Sequence, residues 1–136
     1  MNTATTSHLG RRGLLKCLLA GIPGLFLPSV ATARRTVVLN RCHVAGFQFH
    51  EGIEARQQIQ VGDELRVVAE PENPHDRYAV ALHWKGRHIG YVPRRENRHL
   101  SRMLRSDVPL VATVTQSIPD ADPWRAVRVD VAMVVG

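Results

Sequence analysis

The stretch YAVALHWKGRHIGYV, residues 78–92, predicts a β-hairpin, and this hairpin decides the fold. Its first half, 78–84, alternates large apolar side chains with small or polar ones, which is typical of a strand buried on one face. Lys85-Gly86 has the length and composition of a two-residue turn. Residues 88–92 form the predicted return strand.

Counting outward from the turn, the register pairs Leu82 with Ile89 and Val80 with Tyr91, so both strands are expected to bury the same face. Other short apolar runs bounded by turn residues predict further strands. The predicted strands cover 36–46, 65–69, 108–115 and 127–135, with a loop over 48–52 and a short basic helix over 94–104. This set of elements is typical of a mainly β fold, a small barrel that is closed or partly open.

Residues 1–33 have the three-part organisation of an export signal. A basic segment, 11–16, precedes an apolar run, 17–27, and an A-x-A cleavage pattern follows at 31–33. The apolar run is too short to span a bilayer as a helix, which takes about 20 residues. We therefore expect cleavage after Ala33, a periplasmic or secreted product, and no stable membrane insertion after cleavage.

The basic segment also resembles a twin-arginine export motif, in which Arg11-Arg12 supplies the pair and Leu14 stands where the pattern prefers Phe. An ordinary Sec signal and a membrane anchor formed by uncleaved 1–33 are the alternatives. The predicted organisation is a signal helix over 1–33 followed by one β-barrel domain over 34–136.

Removal of 1–33 changes the charge and the cysteine content of the chain. The whole sequence has 18 Lys and Arg against 12 Asp and Glu. Three basic residues and no acidic residue lie in 1–33, which leaves 34–136 with 15 against 12, a net charge of +3. That charge favours weak attraction to polyanions but not a dominating field. Cys17 leaves with the signal, so Cys42 has no intrachain disulfide partner.

No catalytic constellation is predicted over 34–136. Nucleophilic catalysis needs a nucleophile, a base and an orienting group that converge. Ser101, Ser106 and Ser117 lie in or beside a predicted helix or strand, not in a nucleophile elbow. Cys42 and His43 are adjacent on a predicted strand, so their side chains point to opposite faces. We therefore expect a binding protein and not an enzyme.

His83 and His88 are cross-strand partners in the predicted register. Two ligands are too few for a structural zinc site, which takes four, and no C-x-x-C or H-x-x-x-H motif accompanies them. We expect two solvated histidines at this position, with a weak metal site as the alternative. No cofactor is expected.

Aromatic and basic residues favour nucleic-acid binding. A protein that binds single strands needs flat side chains on which bases stack and donors that hold the backbone. The candidate stacking residues are either Phe47 or Phe49, together with His50, His75 and Tyr91. The candidate phosphate donors are Arg77, Arg87, Arg94, Arg95 and Arg98.

Three segments carry a family resemblance. They are GFQFHEG over 46–52, EPENPHDRYA over 70–79 and GRHIGYVPRR over 86–95. In this order and at this spacing they resemble the HIRAN domain family, and the resemblance covers about 37–114. It implies an OB-like β-barrel, so we expect a mainly β, small OB-like or SH3-like barrel with one or two short helices.

The resemblance also implies a ligand, the 3′ end of single-stranded DNA. In eukaryotic fork-remodelling translocases of this family, the domain holds a 3′-hydroxyl terminus in a pocket. Position by position, Asp76 corresponds to the acceptor of the terminal hydroxyl. The other implied nucleic-acid-binding residues are Gln48 at a phosphate-contacting position, Phe49 and His50 at base-stacking positions, Asn73 and His75 in the end-binding loop, and Tyr91 and Arg94 after the hairpin.

Two of these positions depart from the family pattern. Gln48 stands where the translocases have Arg, and it carries no charge with which to pair with phosphate. His50 offers less stacking surface than Tyr. The resemblance therefore implies weaker binding than in the translocases. Nothing resembles an ATPase P-loop or a zinc-binding RING, so helicase, hydrolase and zinc functions are not expected. The alternative function is an exported envelope binding module with a non-DNA ligand or a protein partner.

Overall fold

The computed structural model describes residues 34–136, and the predicted signal over 1–33 with its cleavage site lies outside the described residues. The strands are β1 (Arg35–His43), β2 (Glu64–Ala69), β3 (Val80–Trp84), β4 (Arg87–Tyr91), β5 (Leu110–Ser117) and β6 (Val127–Val135). The α-helices are α1 (Gly52–Ala55) and α2 (Arg98–Arg105), and single 3-10 turns cover Phe47–Phe49, Arg94–Glu96 and Pro123–Arg125. Among the described residues, no helix is long and apolar enough to cross a membrane.

The six strands form one antiparallel sheet in the order β1-β6-β5-β2-β3-β4. Its two edge strands meet at a single bridge, in which Ala45 and Tyr91 exchange two backbone hydrogen bonds of 2.8 Å. The bridge bends the sheet toward a barrel that is closed at one point. The predicted mainly β, OB-like fold with two short helices is confirmed.

Large apolar side chains from both halves of the sheet fill the core. Leu65, Leu82 and Ile89 are fully buried on the strands, and Leu100 of α2 is buried beside them. Phe47 lies over the core from its 3-10 turn and packs so closely on Gly52 that a Cβ there would lie 2.4 Å from its ring. This contact sets the path of the chain from β1 into α1.

A β-bulge in the hairpin of β3 and β4 overturns part of the predicted register. His83 pairs with His88 as expected, but beyond them Leu82 pairs with Gly90 and Ala81 with Tyr91. The predicted pairs Leu82–Ile89 and Val80–Tyr91 are therefore wrong. The extra residue is Ile89, which has no partner on β3. It is followed by Gly90, whose φ of 152° is accessible to glycine and strained for other residues.

The bulge changes the face of the sheet to which Tyr91 points. In a regular strand, residues three apart point to opposite faces. The inserted residue brings Tyr91 to the same face as His88, and their rings lie 4.7 Å apart in an edge-to-face arrangement. Tyr91, predicted to face the core, instead faces the polar side of the hairpin.

Three other boundaries differ from prediction. The segment 94–104 is not one helix: a 3-10 turn comes first, and α2 begins only after Asn97, whose side chain is bound by Asp76. The predicted loop over 48–52 contains helical turns. β3 begins at Val80, because Ala79 still closes a turn by donating to the Asp76 carbonyl at 3.0 Å.

Candidate nucleic-acid interface

A cavity of about 340 Å³ opens where the Ala45–Tyr91 bridge meets the loop before β3 and the turn before α2. We call it the end pocket. It is lined by Ala45, Gly46, His50, Asn73, His75, Asp76, Ala79, Tyr91, Val92, Arg94 and Asn97. Six of the eight predicted binding residues line it, namely His50, Asn73, His75, Asp76, Tyr91 and Arg94.

The loop before β3 is held by the side chain of Asn73. Its Oδ1 accepts hydrogen bonds from the backbone N–H of His75 at 2.9 Å and of Asp76 at 3.2 Å. Asn side chains commonly bind the backbone two residues on in this way. The two prolines of the loop, Pro71 and Pro74, donate no backbone hydrogen bond, which suits a segment outside the sheet. Asn73 thus positions the residues that follow it.

Asp76 is the carboxylate of the end pocket. Its Oδ1 accepts from the Tyr78 N–H at 2.9 Å, and its Oδ2 accepts from Asn97 Nδ2 at 2.7 Å. Only 17% of the side chain is exposed. A carboxylate has about four lone-pair sites, so acceptor capacity remains on this residue, which lines the cavity.

Tyr91 is fixed at the base of the pocket by Glu70. Its hydroxyl donates to Glu70 Oε1 at 2.8 Å, and Asn73 Nδ2 donates to the same oxygen at 3.1 Å. Burial and the bond to Glu70 raise the pKa of Tyr91 to about 12. Burial alone would raise the pKa of Glu70, but the bonds from Asn73 and Tyr91 hold it below its ordinary value. The pair therefore consists of a neutral phenol and a carboxylate.

His50 belongs to a stack of rings beside the pocket. Its ring centroid lies 4.2 Å from that of His88, and His88 lies 5.0 Å from His83. Burial and the neighbouring His88 lower the pKa of His50, and burial, His88 and Arg66 lower that of His83. His50 thus presents a flat, uncharged ring near neutral pH, which suits contact with a base or sugar.

Arg94 is the cation at the pocket rim. Its Nη2 donates to the backbone carbonyl of His75, and its Nε lies 3.7 Å from Asp76 Oδ2. With 76% of the side chain exposed, its remaining donors are open to solvent. An exposed guanidinium beside a cavity suits a phosphate group.

Gln48 and Phe49 do not line the end pocket. Both are exposed residues of the 3-10 turn just before His50, and 79% of Phe49 is exposed. Arg87, a predicted phosphate donor, is paired with Glu51 at 3.7 Å and Glu54 at 3.1 Å. Gln48, Phe49 and Arg87 are close in sequence to residues of the end pocket but do not line it.

Sequence reasoning missed Asn97 and Glu70. Asn97 is 2% exposed and supplies the donor to Asp76, whereas the sequence placed it inside a continuous helix. An Asn before an amphipathic run is a common helix N-cap, and that signal would have marked the break. Glu70, which anchors Tyr91, is the first residue of the motif over 70–79, but no role was predicted for it.

The residues considered as nucleophiles or metal ligands do not line the end pocket. Cys42 is buried, and burial together with Glu96 and Asp130 raises its thiol pKa to about 12, so it holds its proton and is a poor nucleophile. Ser101 is buried as well. Within residues 34–136, no three His, Cys, Asp or Glu side chains are grouped so as to hold a metal ion, and this includes His83 and His88.

Comparisons with known proteins identify the family of this chain. The family model of the HIRAN domain matches residues 38–135. A crystal structure of a protein from Lactobacillus plantarum is similar with a TM-score of 0.66 and 18% identity, over 76% of this chain and all of that one. The HIRAN domain of human HLTF is similar with a TM-score of 0.58 and 15% identity, over 72% of this chain and 78% of that one. No curated protein sequence matches. Because the family model spans most of the sequence, the chain belongs to the HIRAN domain family.

Proposed function

We propose that this protein binds nucleic acid and holds the 3′ end of a single strand in the end pocket. Membership of the HIRAN family, a family of DNA-binding domains, supports nucleic-acid binding in general terms. The similarity to the human HLTF domain supports the fold alone, at 15% identity. The proposal that the end pocket holds a 3′ end rests on the environment of Asp76.

Asp76 has the properties that a terminal hydroxyl needs in an acceptor. Two of its lone-pair sites are occupied by Asn97 and the Tyr78 N–H, which fix the carboxylate plane. Asp76 also lines a cavity of about 340 Å³, which is a suitable volume for part of a nucleotide. A free 3′-hydroxyl would donate to Asp76, whereas a 3′-phosphate would bring negative charge against it.

The surroundings of Asp76 fit the rest of a terminal nucleotide. The rings of His50 and Tyr91 offer apolar surface for sugar and base. Arg94 at the rim is the donor for the phosphate on the 5′ side of that nucleotide. Phe49, exposed outside the cavity, offers a further stacking surface.

The test is a titration of the purified protein with labelled single strands that end in a 3′-hydroxyl or a 3′-phosphate. We expect preference for the hydroxyl by about tenfold or more, because a hydrogen bond to a charged group contributes about 1.5–3 kcal/mol. Asp76→Ala should remove that preference. Asp120→Ala, which removes an exposed carboxylate from the turn between β5 and β6, is the charge-matched control.

Two results would contradict the proposal. One is affinity that does not respond to the end group or to Asp76. The other is no detectable binding at low salt, which would favour the alternative of a binding module for a non-DNA ligand or a protein partner. Thermal unfolding of each variant distinguishes lost binding from lost folding.

We also propose that 1–33 directs export, as its basic, apolar and A-x-A segments predict. Fractionation of cells that express the whole chain, with mass measurement of the product, tests this separately. A mature periplasmic or secreted product beginning at Arg34 is expected. A cytoplasmic product of full mass would contradict export and leave the binding proposal untouched.

A further inference from the structure

We propose that Tyr78 and the three arginines around it form a second anion site, which binds backbone phosphates of the strand beyond its terminal nucleotide. We call it the arginine cluster: Arg77, Tyr78, Arg98 and Arg102. The proposal rests on the proposed function, because it assigns the path that the strand takes out of the end pocket.

The cluster is organised around one aromatic ring. The guanidinium carbons of Arg77 and Arg98 each lie 4.9 Å from the Tyr78 ring centroid, and that of Arg102 lies 5.9 Å away. Arg98 Nη2 also donates to the Tyr78 hydroxyl at 3.4 Å. These are distances at which a cation is attracted to the face of a ring.

The positive charge of the cluster is not balanced by carboxylates. The ion pairs within residues 34–136 involve Arg34, Arg41, Arg87 and Arg94. None of the three arginines of the cluster has a carboxylate within 4.0 Å among the residues that the structure describes, and all three are exposed. Three like charges over one ring create a positive potential that attracts an anion.

The arginine cluster is continuous with the end pocket. A groove of about 620 Å³ shares Asn73, His75, Asp76, Arg94 and Asn97 with the pocket wall. From there it extends to Pro74, Arg77, Tyr78, Arg95 and Arg98. A strand whose terminus lies at Asp76 therefore meets guanidinium groups as it leaves along this groove.

The spacing along α2 suits successive contacts with one backbone. Arg98 and Arg102 are four residues apart, so they lie on the same face of the helix about 6 Å apart along its axis. Tyr78 holds both side chains in place before a ligand arrives, which lowers the entropic cost of binding. Because its ring faces cations, Tyr78 serves to position these arginines and not to stack on a base.

Tyr78 also gives the cluster a titratable group. The hydrogen bond from Arg98, opposed by slight burial and helped by Arg102 and Arg77, lowers the pKa of Tyr78 to about 8. The charged groups that face its hydroxyl are these three arginines, while Asp76 binds its backbone N–H. Above that pH the phenolate places a negative charge among the arginines, which opposes phosphate binding.

The test compares 3′-hydroxyl strands of two and ten nucleotides, titrated against the protein as it is produced by the cell. The variant is Arg98→Gln/Arg102→Gln, which keeps long polar side chains on α2. Arg66→Gln/Arg128→Gln removes the same charge from exposed positions of β2 and β6 and is the control. Wild type and control should prefer the longer strand by tenfold or more.

The cluster variant should lose most of this length preference and retain wild-type affinity for the dinucleotide. Its salt dependence with the longer strand should be shallower by about 1.4 in the log–log slope, since each neutralised phosphate of a single strand contributes about 0.7. We expect wild-type affinity to decline above pH 8. Tyr78→Phe should keep the length preference but lose that decline.

The outcomes separate this proposal from that of the end pocket. An unchanged length preference in the cluster variant overturns the arginine cluster and leaves recognition of the 3′-hydroxyl intact. A lost length preference together with indifference to Asp76 and to the end group supports the cluster and overturns the end pocket. A loss of length preference in the control double variant equal to that in the cluster variant also overturns the cluster, because it shows a general effect of charge.

Discussion

Asn97 donates from Nδ2 to Asp76 Oδ2 at 2.7 Å, across 21 residues of sequence. Asp76 stands in the loop before β3, and Asn97 is the last residue before α2. One buried amide thus connects Asp76 of the end pocket to the helix that carries Arg98 and Arg102 of the arginine cluster. The orientation of the carboxylate depends on this bond more than on the Arg94 guanidinium, whose Nε lies at 3.7 Å.

Replacement of Asn97 is expected to cost stability as well as binding. Asn97→Ala removes the donor from a carboxylate that is mostly buried, and an unsatisfied group of this kind costs about 1–3 kcal/mol. The free energy of unfolding, measured in urea at neutral pH, should fall by that amount. Affinity for a 3′-hydroxyl strand should fall too, because the carboxylate plane is no longer fixed. Unchanged stability would contradict the importance given to this bond.

Ser101 provides the opposite case one turn along α2. Its side chain is fully buried, and its Oγ has no hydrogen-bond partner among the described residues. Ser101→Ala removes a polar atom that makes no compensating bond, so the free energy of unfolding should stay within about 0.5 kcal/mol or rise by up to about 1 kcal/mol. The same urea measurement applies. A loss comparable to that of Asn97→Ala would indicate a bond to Oγ that the structure does not contain.

Gly90 is expected to be far less replaceable than Gly86, although both have positive φ. A Cβ at Gly90 would lie 2.5 Å from the Ala45 carbonyl oxygen and from Val44 Cγ1, whereas a Cβ at Gly86 meets nothing within 4 Å. Gly86→Ala should cost about 1 kcal/mol through its backbone conformation alone. Gly90→Ala should cost roughly 2–4 kcal/mol, because it also displaces the bridge at Tyr91.

Thermal unfolding of the two glycine variants measures this difference. Ala45 and Tyr91 both line the end pocket. Displacement of their bridge in Gly90→Ala should therefore distort the pocket wall and weaken binding of 3′-hydroxyl strands. Equal losses of stability at the two positions would contradict the close contact.

The hairpin shows how far sequence reasoning reaches in this fold. Alternation and the Lys85-Gly86 turn sufficed to place both strands and the His83–His88 pair. The bulge before Gly90 could not be predicted from the hairpin alone, because Gly90 and Tyr91 lie against Ala45, which is 45 residues from Gly90 in the sequence. Local patterns carry no information about such a contact, and a one-residue shift reverses the face of every side chain beyond it.

The candidate site also contains some residues that could be predicted from the sequence and others that could not. The loop over 73–76 was anticipated by the family resemblance, because the matching segment over 70–79 contains it. The donor to Asp76 was not, since an N-cap signal at Asn97 can mark the start of a helix but not a bond to a residue 21 positions away. The structure places Tyr91 among the residues that line the pocket, whereas alternation had wrongly placed it in the core. The bulge accounts for this difference.

The histidine stack is expected to make the fold less stable in mild acid. The pKa values of His50 and His83 lie below the ordinary 6.5, through burial first and the neighbouring His88 second. Below pH 6.5 the unfolded chain therefore binds more protons than the folded one, so stability falls as pH falls from about 7. Melting temperatures between pH 7.5 and 5 measure the slope. His83→Gln should flatten it, with His99→Gln on the exposed face of α2 as the control.

Cys42 should report on unfolding through its reactivity. Burial raises the pKa of its thiol to about 12, and Glu96 and Asp130 add to the effect, so almost no thiolate exists at pH 8. In a Cys17→Ser background, where Cys42 is the one thiol of the chain, a disulfide reagent should react very slowly with the native protein and rapidly in guanidinium chloride. Gln57→Cys in the same background adds an exposed thiol and should react at once. Equally fast native reaction of Cys42 would mean that β1 opens readily from β6, which would also release one side of the end pocket.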